Sequence, residues 1–287
     1  MAVTIAEHAA PDPWEGFIAE PVSDHGGAGV LVLSGSSGRI ERERCRAFAR
    51  AGVMAASVRW FGGRGMAPGI CEVPLETFVA AAGLLRERGA RRVSMLGVSK
   101  GAEAALLVSA LSTCADAVIA VSPTSVAWAG VGPGLDGRDR PFRSSWTWRG
   151  RAVPFVGYDA SWVPVEPAGS PHALVGWYER SLAADPDGVT AAAIPVERAD
   201  VDLVVIAGGA DRMWPSVRFA RELADRREAA GRGVRLLTSP DAGHRIVFPG
   251  EVPPPPSSRF DHGGTAEADA ALGAVAWPEV LAAVRGA

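Results

Sequence analysis

Five consecutive residues carry the first sign of chemistry: Gly97-Val98-Ser99-Lys100-Gly101, the pattern G-x-S-x-G. A serine with glycine two residues away on each side can occupy a turn so tight that strand and helix backbones nearly touch, where a Cβ would clash. The turn pushes the hydroxyl out of the sheet, and the N-terminus of the following helix favours developing negative charge. Val93-Ser94-Met95-Leu96 before the pattern reads as a strand, and Ala102 to Leu107 after it as a helix, which is the context it requires. A serine hydroxyl is a poor nucleophile until a neutral imidazole takes its proton. A carboxylate must then fix the imidazole tautomer and stabilise the imidazolium.

In a strand–turn–helix setting of this kind the partners follow in chain order, the acid first and the histidine second. His8 and His25 precede the serine and are set aside. His172 comes before the later strands that could deliver an acid, and His262 follows a run of prolines and reads as a surface or loop residue. His244, in Asp241-Ala242-Gly243-His244 after an apolar strand, is the candidate base. The acid is expected at the end of the preceding strand, Leu203-Val204-Val205-Ile206-Ala207, which leads through Gly208-Gly209-Ala210 to Asp211. Asp202 enters that strand at its wrong end; Asp241 is the runner-up and reads as a turn residue. A tetrahedral oxyanion needs backbone donors. One is expected from the N–H of Lys100, and the other from the loop after the first long strand, near Ser36 or Ser37.

The elements that must position these groups alternate along the chain. Gly29 to Leu33 is a short apolar run, Arg39 to Gly52 an amphipathic helix, and Val53 to Trp60 a second strand. Leu75, Phe78, Val79 and Ala82 fall at helical spacing, with Gly89 placed to end the helix. After the third strand and the helix Gly101 to Leu111, Ala117 to Val121 is a fourth strand, stopped by Pro123. From Thr124 to Pro195 the alternation breaks: this stretch holds Trp128, Trp146, Trp148, Trp162 and Trp177 with Tyr158 and Tyr178. It reads as an ordered insertion, since a disordered segment would be poor in aromatics. Two roles suit it: a lid that shapes a substrate pocket, or a satellite core. Alternation resumes with Leu203 to Ala207, a helix from Pro215 to about Ala230, the strand Val234 to Leu237 and a last helix from Ala266 to Val284. Val252-Pro253-Pro254-Pro255-Pro256 reads as a stiff surface loop. The pattern predicts an α/β protein with a mostly parallel sheet covered on both faces, in one domain over residues 1–287 with 124–195 inserted.

Composition narrows the function classes. The chain has 287 residues, 48% hydrophobic and 21% charged, and its 29 basic and 32 acidic residues leave a net charge of −3. That balance gives no basic stripe for nucleic acid. No window approaches the length of a membrane span, and the N-terminal residues lack the basic and apolar regions of a secretory signal. Cys45, Cys71 and Cys114 are odd in number and scattered, which suggests neither a disulfide framework nor a zinc site. With no dinucleotide fingerprint or metal-ligand cluster, the expectation is a cytoplasmic protein without a cofactor that acts on a small molecule.

Several motifs together have a familiar ring. Gly97-Val98-Ser99-Lys100-Gly101-Ala102-Glu103 resembles the elbow of the acyl-CoA thioesterase and bile-acid-CoA:amino acid N-acyltransferase family, in its C-terminal α/β-hydrolase domain. Further segments agree in order: Val73 to Phe78, Trp148-Arg149-Gly150 with Pro154, Ile194 to Ala199, Ala210 to Trp214, Ala242-Gly243-His244, and His262-Gly263-Gly264 with Trp277. The resemblance spans residues 29–285 and implies the α/β-hydrolase fold, with Ser99, Asp211 and His244 as the triad. It implies a serine hydrolase that cleaves acyl thioesters, on CoA or another carrier, through an acyl-enzyme, with CoA entering only as part of substrate or product. The alternative is acyl transfer to an amine or hydroxyl acceptor. The family's transferases generally carry cysteine at the nucleophile, so Ser99 favours hydrolysis. A third reading is a binding protein on a hydrolase scaffold, against which the intact set of three residues argues. The β-sandwich that precedes this domain in the family's animal members is expected to be absent, since 28 residues precede the first long strand. The side chain of Lys100 is expected to be solvated, leaving its backbone N–H at work, rather than to reach CoA phosphates. The arginines at 138, 140, 143, 149 and 151 are expected to form a solvated face.

Overall fold

A computed structural model describes residues 3–23 and 26–287, so His25 lies outside the described residues. The chain runs β1 (Ile5–Ala9), β2 (Gly16–Pro21), β3 (Ala28–Leu33), α1 (Arg42–Arg50), β4 (Met54–Val58), β5 (Val73–Pro74), α2 (Glu76–Glu87), β6 (Arg92–Val98), α3 (Lys100–Leu111) and β7 (Ala117–Val121). It continues with β8 (Trp146–Trp148), β9 (Arg151–Ala152), α4 (Val175–Ala184), α5 (Pro186–Ala191), β10 (Asp202–Gly208), α6 (Ser216–Ala229), β11 (Arg235–Ser239) and α7 (Ala266–Arg285). Eight strands form one sheet in the order β1-β2-β4-β3-β6-β7-β10-β11. From β4 to β11 every neighbouring pair is parallel, and β2 is antiparallel to both β1 and β4. This is the α/β-hydrolase architecture.

Strand residues alternate between two cores. Leu31 and Leu33 pack into the layer covered by α2, α3 and α6, whereas Val30 and Val32 face the layer of α1 and α7. Burial on both faces accounts for the continuous apolar runs of β3, β6, β7 and β10, which a one-sided sheet would have broken with polar residues. The parallel strands all end at one rim. Leu33, Val98, Gly208 and Ser239 therefore deliver the loops that follow them to one edge of the sheet, where ligands of open α/β sheets bind.

Two features went beyond the sequence pattern. The N-terminal residues form a hairpin, β1 and β2, that extends the sheet past β4. Residues 124–195 carry β8, β9, α4 and α5, and β8 pairs with β5 and β9 in a small second sheet. Among the described residues, no helix is long and apolar enough to cross a membrane.

Candidate active site

Ser99 links β6 to α3 with φ 55° and ψ −120°, a left-handed conformation that a serine seldom adopts. The close approach around it explains its glycine neighbours. A Cβ on Gly97 would overlap the carbonyl of Gly101, and one on Gly101 would overlap the carbonyl of Ser34. Lys100 is the first residue of α3, so its N–H has no acceptor within the helix. The loop after β3 closes on the serine at Gly35, where a Cβ would lie 3.2 Å from that of Ser99. Ser36 and Ser37 follow it on the same rim, both exposed.

The acid and the base meet as their strand positions require. Asp211 Oδ2 lies 2.7 Å from His244 Nδ1, and both residues are buried. The same oxygen accepts the Ser216 hydroxyl proton, while Oδ1 accepts the N–H groups of Met213 at 2.7 Å and Trp214 at 3.3 Å. With both oxygens engaged, the carboxylate presents one fixed lone pair to the imidazole. The backbone of His244 is held from the other side, its carbonyl accepting the Ser122 hydroxyl at 2.9 Å. Ser122, at φ 45° just past β7, is a supporting residue that sequence reasoning missed; Pro123 marked the end of the strand but not this contact.

Ser99 sits where two cavities adjoin. The smaller, about 290 Å³, is lined by Ser99 and His244 with Gly35, Ser36, Ser37 and Met213. The larger, about 590 Å³, is lined by Ser99 and Lys100 and walled by aromatic rings of the 124–195 segment, with Trp214 and Phe260. Ser99 and His244 both line the smaller cavity, and no hydrogen bond joins the Ser99 hydroxyl to the imidazole in this conformation. Bonds of this type commonly tighten only when substrate is in place.

The surroundings of these residues bear on three expectations. The side chain of Lys100 is not solvated: it is 2% exposed, and its Nζ donates to Glu103 Oε2 at 2.7 Å. Glu103 is itself fully buried, and its Oε1 accepts from Trp128 N at 2.9 Å and Trp146 Nε1 at 2.7 Å. Burial drives the Glu103 carboxyl upward and the Lys100 ammonium downward from their usual ranges. Glu103, paired with the lysine that follows the nucleophile, thus ties α3 to the 124–195 segment, and the spacing of Lys100 and Glu103 at i, i+3 was the available signal. His262 lies in a loop, as expected, but beside the site. It is half-buried, lines the smaller cavity, and lies 6.0 Å from His244 between ring centroids. Burial, reinforced by the cation of Arg245, pushes it down to about 4, so it is neutral near pH 7. As for the insertion, Trp128 and Trp146 are fully buried in the core, whereas Trp177 lines the larger cavity, so its tryptophans divide between the two expected roles.

Of the other candidates, two border the larger cavity and the rest lie away from the serine–histidine pair. Asp241 is exposed, and Asp202 stands at the opposite end of β10, bound to Arg92. His172 borders the larger cavity and lies 3.9 Å from Glu166. Arg143 pairs with Glu72, and Arg138, Arg149 and Arg151 are exposed; Arg140, also exposed, borders the larger cavity.

Residues 73–284, about three-quarters of the chain, match the family described as BAAT / acyl-CoA thioester hydrolase C terminal. The chain belongs to that family. Among curated proteins, none matches it. Solved structures similar to this member of the BAAT / acyl-CoA thioester hydrolase family agree on the fold. A Klebsiella pneumoniae protein named as a dienelactone hydrolase is 15% identical, with 99% of each chain covered and a TM-score of 0.59. The uncomplexed acylaminoacyl peptidase of Pyrococcus horikoshii is 12% identical over 85% of this chain and 38% of its own, with a TM-score of 0.55. Dipeptidyl peptidase 4 of Porphyromonas gingivalis is 14% identical over 88% of this chain and 34% of its own, with a TM-score of 0.53. The chain therefore spans only about a third of either peptidase. The family makes it an enzyme of the hydrolase type.

Proposed function

We propose that the protein is a serine hydrolase of acyl thioesters, with Ser99 as nucleophile, His244 as base and Asp211 as the group that orients it. One observation carries the reading: the 2.7 Å bond between Asp211 and His244 Nδ1, beside a serine held at φ 55° on the same cavity. With Nδ1 facing the carboxylate, Nε2 is left to take the Ser99 proton. Ser99 Oγ then bonds to the thioester carbonyl carbon. The oxyanion that forms faces the N–H of Lys100 and a donor from the loop after β3, among Gly35, Ser36 and Ser37. The C–S bond breaks as the imidazolium returns its proton to the departing sulfur. Water, deprotonated by His244, adds to the acyl-enzyme and releases the acid, restoring the serine. A thiolate leaves more readily than an alkoxide, and the family's description points to the same bond.

The test is thiol release from a panel of acyl-CoA and simple acyl thioesters. The wild-type protein should release thiol, and Ser99→Ala should abolish release without changing the melting temperature. Asp211→Asn should cut kcat by roughly 10⁴, since the amide favours the wrong imidazole tautomer. Ester cleavage with no thiol released from any thioester would reject the reading. Amide formation at the expense of hydrolysis when an amine is added would move the assignment to acyl transfer.

A further inference from the structure

We propose that the acyl group this site accepts is aromatic, and that the 590 Å³ cavity beside Ser99 is an aryl pocket. The inference rests on Ser99 as the acyl acceptor. His244 lines the smaller cavity and not the larger. An imidazolium that hands its proton to the departing sulfur requires the leaving group on its own side, so the acyl group falls into the other cavity.

One wall of that cavity is built of packed aromatic rings. Tyr158 and Trp177 stand nearly parallel, with centroids 4.4 Å apart and planes 29° apart. Phe142 and Tyr178 meet Tyr158 edge-on, at 5.3 Å and 86° and at 5.7 Å and 87°. Three polar atoms of the ring-lined wall are taken by main-chain carbonyls. Tyr158 OH donates to Ala129 O at 3.0 Å, Trp177 Nε1 to Asp159 O at 2.8 Å, and Trp214 Nε1 to Ser122 O at 3.1 Å. The faces of Tyr158 and Trp177 are covered by each other and by Trp128 and Trp162, so this wall offers a ligand ring edges in fixed positions, while Asp139, Arg140, His172 and Arg259 border the cavity elsewhere. Another aromatic ring joins such an array through the same quadrupole attraction that orders the walls, a term that a saturated ring of equal size lacks. A linear alkyl chain gains the burial but must freeze torsions that an aryl group does not have. The volume lies in the ordinary range for a small-molecule site and accommodates one or two rings.

The experiment compares phenylacetate, cyclohexylacetate and octanoate as ligands of the Ser99→Ala protein by calorimetry, and their N-acetylcysteamine thioesters as substrates of the wild type. Phenylacetate should bind about tenfold tighter than cyclohexylacetate, a difference of about 1.4 kcal/mol. The kcat/KM values should follow the same order. Trp177→Leu and Phe142→Leu, checked for folding by circular dichroism, should each bring the ratio towards one. Equal or tighter binding of the saturated acids would overturn the proposal. Thioester hydrolysis with no aryl preference would also remove it while leaving the thioesterase reading intact. Aryl-selective binding with no thioester hydrolysed would leave the pocket standing and remove the thioesterase reading.

Discussion

The Lys100–Glu103 pair offers the sharpest test of how the elbow is held. Both side chains are removed from water, at 2% and 0% exposure, and are compensated by each other, by the N–H groups of Trp128 and Trp146 on Glu103, and by the Trp146 ring, whose centroid lies 5.3 Å from Lys100 Nζ. Lys100→Met leaves a buried carboxylate that keeps the Trp128 and Trp146 N–H groups but loses its cation. Breaking a buried pair in this way costs about 3 kcal/mol, the lower end of the range, because the two donors remain. Glu103→Gln keeps an acceptor for the same donors but strands the ammonium, and should cost a similar amount. The double variant has no stranded charge, so it should lose no more than either single variant, a non-additivity of about 3 kcal/mol. Urea unfolding followed by circular dichroism, with unchanged m-values, measures each term; by melting temperature, a single variant should fall by about 6–12 °C. A loss under about 1 kcal/mol in both single variants, or a double variant equal to their sum, would show that the pair does not anchor the elbow.

Two further predictions concern the same rim. Gly97→Ala places a methyl group against the Gly101 carbonyl, so it should destabilise the fold by about 3 kcal/mol or more and leave little soluble enzyme; wild-type stability in that variant would refute the crowding argument. His262 is held at about 4 in the folded chain, below its unfolded value, so the stability it contributes is complete above the unfolded pKa and is lost as pH falls towards 4. Partial exposure screens this loss to about 1 kcal/mol. In His262→Asn the drop in unfolding free energy between about pH 7.5 and pH 4.5 should shrink by that amount, and an unchanged drop would contradict it.

The sheet and the three candidate catalytic positions were legible because the signals were local. Apolar runs marked β3, β6, β7 and β10, each within a residue or two of its observed ends, and the rim residues follow from where those strands stop. The β1–β2 hairpin was not legible: Glu7 and His8 are exposed on an edge strand, so no apolar run announces it. Gly35 escaped notice because it has no side chain to suggest a role, whereas Ser36 and Ser37 drew attention by type. The burial of Lys100 depends on Trp128 and Trp146, which are distant in sequence and reach α3 only through the tertiary fold. The nearness of His262 to the site was hidden for the same reason, since His262 O accepts the His244 N–H at 2.9 Å from the far side of a proline-rich loop.

The junction carrying His244 is stitched by glycines that admit no side chain. A Cβ on Gly208 would overlap the carbonyls of Ala242 and Gly243, one on Gly243 the carbonyl of Gly263, and one on Gly263 that of Ala210. The walls of the larger cavity come mostly from a different part of the chain, between β7 and β10, and share no main chain with that junction. The two regions can therefore drift at separate rates: the ring-lined wall is free to be remodelled for new cargo, while the imidazole's seat tolerates almost no change.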